Sequence, residues 1–360
     1  MTLKEHKNHY NVKFLKGYGF SVNVKDNKIV LKNCYDPFSE PEVEEWYVKN
    51  MPYEKIVLSG KGYISTEALS LLSENNRNLI LLDTYGKPVT YLNPVMESLT
   101  ATNYRIGQYD TFRNESKRNY LARQIVKAKL ESQINFLKST NSQDVTKGKV
   151  HLEDQRKHLD NISTPIRNEA KTSRIYFREF AKLIPEKYGF TSRNQSHIRI
   201  SKNNATDVIN GLLNYGYAVL AGEISKFING IGLDAYYGFY HRSHSGFQPL
   251  VYDIIEPFRW LVEYSVYKLA NSISTNQTIR LKDYAVTREG KVVLDYNLIR
   301  RFLELLERTF QKERRYEFRH GSKTEDGLKS CQEITIVKIA VQNLADYCIN
   351  KRQTFEIMRT

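Results

Sequence analysis

The chain has 360 residues, 41% of them hydrophobic, which is enough for one large core or two of unequal size, and it carries a formal net charge of +14. Its longest nearly uncharged stretch, residues 208–222, is shorter than a spanning helix needs and includes Asn210 and Asn214, while residues 1–16 carry Lys4, Glu5, His6, Lys7 and His9 in place of an apolar leader. Both features argue against membrane insertion or export and point to the cytoplasm. Cys34, Cys331 and Cys348 have neither a paired framework nor a C-x-x-C spacing, as expected of a reducing compartment.

The charge is unevenly spread. Residues 1–100 hold 12 Lys+Arg and 12 Asp+Glu, whereas residues 101–200 hold 20 basic and 10 acidic side chains. The excess therefore lies after residue 100, where it suits a polyanion such as DNA or a solvated helical surface.

In chain order, residues 18–24 and 28–32, separated by Lys25-Asp26-Asn27, predict a hairpin. Further strands are predicted at 55–59, 78–83 and 88–92, with a short helix at 66–74. Residues 1–100 thus read as a β-rich domain. From about residue 103 the apolar period becomes helical. Residues 114–138 place Leu121, Ile125, Ala128, Leu130, Ile134 and Leu137 at spacings of three and four, with Arg118, Arg123, Lys127 and Lys129 assigned to the other face. A polar stretch around Glu153 separates this helix from one beginning at Ser163-Thr164-Pro165, a hydroxyl cap followed by proline. Later helices are expected at 205–228, 253–271, 297–311 and 335–353, with an irregular crossing at 271–295. The expected class is α+β: a small mainly-β domain over 1–100 and a larger all-α domain over 101–360.

Several residues carry chemistry. Glu169 shares a helical stripe with Ile166, Ser173, Tyr176 and Phe180, so its carboxylate must be paired, protonated or bound to a cation, unless it turns sideways to Arg174. Residues 232–260 gather Tyr236, Tyr237, Phe239, Tyr240 and His241, then Asp253 and Glu256, which share a face if Asp253 begins a helix. Pro257 fits there only in a first turn or at a kink. One imidazole with carboxylate oxygens suits Mg²⁺ or Mn²⁺ better than Zn²⁺, and His241-x-x-His244 alone makes no zinc site. Singly, these features have plainer readings: a histidine packed among aromatic rings and an acidic pair at a helix start.

Four stretches, Asn168-Glu169-Ala170 through Phe177, Asn210 through Tyr217, Gly232 through His241 and Asp253 through Arg259, together resemble the CRISPR-associated integrase family of spacer acquisition and its casposon-encoded transposase relatives. The resemblance implies that Glu169, His241 and Glu256 are metal ligands, that Asp253 assists them as a fourth catalytic residue, and that Arg174, Asn210, Tyr217 and Arg259 lie where DNA is held. It also implies a homodimer formed through the N-terminal domain and a small ferredoxin-like partner protein. The chain departs from the family at Lys171-Thr172-Ser173, where a small Gly-Ala-Ala run is usual, around Gly246-Phe247-Gln248, and at Trp260. The expected activity is metal-dependent joining of DNA 3′-hydroxyl ends to target DNA by transesterification. CRISPR spacer acquisition is the first reading, casposon transposition the second, and a non-catalytic DNA-binding scaffold or a structure-selective nuclease the others.

Overall fold

The structure, a computed structural model, describes residues 12–33, 40–53, 55–75, 77–82, 88–92, 99–158, 165–193, 205–241, 247–273, 278–317 and 328–357. Cys34, Ser163, Thr164, His244 and Gly246 lie outside them.

The N-terminal sheet has β1 (Val12–Lys25), β2 (Lys28–Asn33), β3 (Glu42–Trp46), β4 (Lys55–Ile64), β5 (Asn78–Leu82) and β6 (Pro88–Leu92), in the order β3-β2-β1-β4-β5-β6. The hairpin β1–β2 turns on Asp26 and Asn27, both at positive φ, a conformation these two residue types tolerate. Strands β1, β4 and β5 run parallel, and α1 (Thr66–Glu74), capped by Ser65, makes the crossover from β4 to β5. Alternation along the strands divides their side chains between two cores. Leu15, Ile56, Leu58 and Leu79 meet Ala68 and Leu72 of α1, whereas Phe14, Val57, Ile80 and Leu82 join the helical core.

The larger part contains α2 (Leu99–Arg113), α3 (Glu115–Ser139), α4 (Thr146–Lys157), α5 (Pro165–Lys182), α6 (Val208–Ile231), α7 (Pro249–Ile255), α8 (Arg259–Ala270), α9 (Tyr296–Gln311) and α10 (Glu333–Cys348). Helix α6 is buried along most of its length. It starts at Asp207, whose carboxylate accepts from the Asn210 amide, and ends at Gly232 in the left-handed region. At Gly216 a Cβ would stand 2.4 Å from Val262 of α8 and 2.8 Å from Phe302 of α9, so glycine sets how closely these helices approach.

Three expectations are corrected. The larger part is not all-α: β7 (Tyr284–Val286) pairs with β8 (Val292–Leu294), and β9 (Glu313–Glu317) with β10 (Leu328–Gln332). The stretch around Glu153 is α4, held by Leu152 and by Gly148, where a Cβ would strike the Glu179 side chain at 2.1 Å. Asp253 does not begin a helix; α7 starts at Pro249, a favourable first-turn position, and a 3₁₀ turn at Glu256–Phe258 takes up Pro257 before α8.

A buried ion cluster joins the sheet to the helices. Lys55 of β4 lies 2.9 Å from Glu223 of α6 and 3.4 Å from Glu307 of α9, and the Lys55 and Glu223 side chains are 6% and 7% exposed. Lys55→Met would leave Glu223 without its buried cation. We expect a loss of about 3–5 kcal/mol in urea unfolding, recovered in part by adding Glu223→Leu.

Candidate active site

Asp253 organises the loop that carries His241. Its fully buried carboxylate accepts hydrogen bonds from the backbone amides of Phe239 at 2.7 Å, Tyr240 at 3.1 Å and His241 at 2.8 Å. The same carboxylate lies 2.7 Å from Nδ1 of His241. With a proton on Nδ1 pointing at Asp253, Nε2 presents its lone pair away from the carboxylate. Gly238 makes this wrapping possible, since a Cβ there would sit 2.7 Å from Asp253 Oδ2.

Glu169 of α5 and Glu256 of the 3₁₀ turn are drawn together by Lys129 of α3, which ion-pairs with Oε1 of Glu169 and lies 2.7 Å from Oε2 of Glu256. Ser173 donates to the same Glu169 oxygen at 2.8 Å, and Arg259 donates to Oε1 of Glu256 at 2.8 Å. Burial alone would raise the Glu256 carboxyl, but Arg259 and Lys129 outweigh it and hold Glu256 well below the usual carboxylate range. Burial would likewise lower the Lys129 ammonium, yet Glu256 and Glu169 raise it. Tyr240, next to His241, is pushed upward by burial and then by the charges of Glu169, Glu256 and Asp253.

Behind Arg259 lies a second buried layer. The Arg259 guanidinium stacks 4.5 Å from the centre of the Tyr217 ring, and Arg193 lies 5.2 Å from the same ring. Tyr217 and Tyr176 donate to the two oxygens of Glu263, at 2.8 and 2.6 Å. Burial raises the Glu263 carboxyl despite these bonds. Arg193 donates to the side-chain carbonyls of Asn210 and Asn214, at 2.8 and 2.6 Å. Asn210 and Tyr217 are buried, Asn210 against Arg193 and Tyr217 beneath the Arg259 guanidinium, and Arg259 itself faces Glu256. Arg174 is exposed on α5.

Lys129, Glu263 and Arg193 were not singled out from sequence as site residues. Lys129 lies not on the basic outer face of its helix but inside: it is 7% exposed and repeats at a spacing of four with the buried Ile125 and Gln133. That spacing was the available signal. Glu263 and Arg193 carried none, because their partners are tens of residues away in sequence.

The donors fit a hard divalent cation, with two carboxylates and an imidazole nitrogen. Glu256 Oε2 is buried and faces only the Lys129 ammonium, while Arg259 takes Oε1, so Oε2 could turn to a further cation in place of Lys129. Among the described residues, however, no group of three His, Cys, Asp or Glu side chains is already converged on one point. Lys129 joins Glu169 to Glu256, and His241 is joined to Asp253.

The family described as CRISPR associated protein Cas1 matches residues 14–308. The chain belongs to the Cas1 family. Curated Cas1 relatives include "CRISPR-associated protein Cas1 3" of Methanobrevibacter ruminantium, 30% identical over 277 residues, covering 72% of this chain and 77% of the relative. Another is "CRISPR-associated endonuclease Cas1 1" of Archaeoglobus fulgidus, 27% identical over 297 residues, covering 75% and 83%. Among solved structures, a casposase bound to integration product superimposes with TM-score 0.84 at 25% identity, covering 96% of this chain and 92% of that one. A Cas1 protein of Thermotoga maritima shares the fold with TM-score 0.74 at 19% identity, covering 96% and 98%. This Cas1-family chain has, among its described residues, no helix long and apolar enough to cross a membrane.

Replacing Asp253 by Asn puts an amide nitrogen against backbone N–H donors. We expect Asp253→Asn to cost about 2–3 kcal/mol in urea unfolding and to speed amide exchange at Phe239, Tyr240 and His241 more than in α6.

Proposed function

We propose that this chain joins the 3′-hydroxyl ends of a donor DNA to a target DNA by transesterification. The observation that carries the reading is the pairing of a clamped His241–Asp253 couple with the Glu169 and Glu256 carboxylates, in a chain of the Cas1 family. Glu169, Glu256 and Nε2 of His241 would hold Mg²⁺ or Mn²⁺, which when bound polarises a phosphoryl oxygen and offsets charge in the transition state. Asp253 keeps the imidazole in one tautomer and position. Arg259 holds Glu256 ionised, and Tyr217 with Glu263 fixes Arg259. The aromatic rings of Tyr240 and Phe239 limit water near the reacting phosphate. The basic residues after residue 100, Arg174 among them, would engage the DNA through its phosphates with little regard to sequence.

Insertion of spacers into a CRISPR array is our first assignment, with a homodimer formed through the N-terminal sheet and a small ferredoxin-like partner; a distant structural relative is a Cas6-RT-Cas1–Cas2 complex. The casposase likeness supports a second assignment, integration of a casposon.

A labelled duplex with free 3′ hydroxyls, incubated with supercoiled plasmid and Mn²⁺, is expected to transfer label and relax the plasmid. EDTA, His241→Ala or Glu169→Gln should reduce joining by at least about a hundredfold, a far larger loss than any in DNA binding. Retention of joining in His241→Ala would overturn the assignment. Unchanged DNA binding without joining in the wild type would make the chain a DNA scaffold. Preferential joining into a plasmid carrying a CRISPR repeat supports spacer acquisition, and donor-end preference for a mobile element's termini supports casposon integration.

A further inference from the structure

We infer that Lys129 is a resident counter-cation, exchanged for the divalent ion only when DNA phosphate arrives, so that metal entry and DNA binding are coupled through this one side chain. The inference rests on the metal-dependent reading above. It starts from a charge count: Glu169 and Glu256 supply two negative charges, Lys129 and Arg259 two positive ones, and the four are linked by direct contacts. A divalent ion added to this balanced cluster brings a double charge, which Asp253 behind His241 offsets only in part, into a site whose Lys129 and Glu256 side chains are 8% and 5% exposed. That is unfavourable in a poorly solvated setting. A phosphodiester beside the ion restores part of the balance, and the ammonium can then turn to a phosphate oxygen on its flexible four-carbon stem.

The contacts are arranged for such an exchange. Ser173 remains bonded to Glu169, and Arg259 to Oε1 of Glu256, when Lys129 moves away. Neither carboxylate is then left without a donor. The oxygen that Lys129 faces, Glu256 Oε2, is the one its departure frees, since Arg259 stays on Oε1. Glu169, at 21% exposure, is the more open of the two acids and marks the side from which an ion and a phosphate would enter.

The test is Mn²⁺ affinity, read from the electron paramagnetic resonance of free Mn²⁺ at fixed ionic strength. It is measured for the full chain with and without a short duplex whose 3′ ends are dideoxy-terminated, after subtraction of Mn²⁺ bound by the duplex alone. For the wild type, DNA should tighten Mn²⁺ binding roughly tenfold or more. In Lys129→Met and Lys129→Gln, binding without DNA should tighten by about tenfold, and the effect of DNA should shrink to less than about threefold. Lys129→Arg, which keeps the charge, should resemble the wild type without DNA. Thermal melting identifies any variant that fails to fold, and two neutral replacements are used so that one such failure does not decide the result. Equal Mn²⁺ affinity and equal DNA dependence in wild type and both neutral variants would overturn the role of Lys129 while leaving the metal site standing. Absence of Mn²⁺ binding in wild type and variants alike, with DNA present, would overturn the metal reading and this inference with it.

Discussion

Carboxylates buried inside a helical core constrain this protein more than any other feature. Between residues 253 and 263 the chain buries Asp253, Glu256 and Glu263, each at 4% exposure or less. An isolated charge in such a place is prohibitively costly, so each acid requires its own partners. Asp253 is satisfied by backbone amides and an imidazole, Glu256 by two cations, and Glu263 by two tyrosine hydroxyls. These demands fix where α3, α5, α6 and the loop ending at His241 must lie.

The remainder of the fold holds that arrangement still. Helix α6 supplies Asn210, Asn214 and Tyr217 from one buried element, and Gly216 allows α8 to approach closely, with Arg259 at its start over the Tyr217 ring. The N-terminal sheet is tied to the same helix through Lys55 and Glu223. Disturbance at the sheet can therefore reach the site through α6.

The site is thus layered by chemical role. Outermost are His241 and Glu169, the most exposed of the proposed ligands; beneath them Glu256 with its cations; deepest the neutral tyrosines around Glu263. Such an order keeps the groups that would meet DNA accessible and leaves the supporting charges in surroundings where their interactions are strong.

Periodicity alone determined much of the architecture: the hairpin at β1–β2, helix α1, and the starts of α3 and α5 follow from alternation, turn residues and capping signals in contiguous sequence. It also determined which acids to suspect, because Glu169 falls on an apolar stripe and Asp253 and Glu256 follow a histidine-containing aromatic run. Helix α4 escaped because its sequence is polar and only Gly148 and Leu152 are buried; the kink at Pro257 was readable as a choice between a helix start and a break, and tertiary packing chose the break. Tertiary structure alone decided that Lys129 stands between two carboxylates, that Asn210 and Tyr217 face inward, and that Glu263 and Arg193 belong to the site. The reason is range: helix caps and stripes arise from residues a few positions apart, whereas the pairing of a buried charge depends on elements 40 residues apart, as with Lys129 and Glu169, or 87 apart, as with Tyr176 and Glu263.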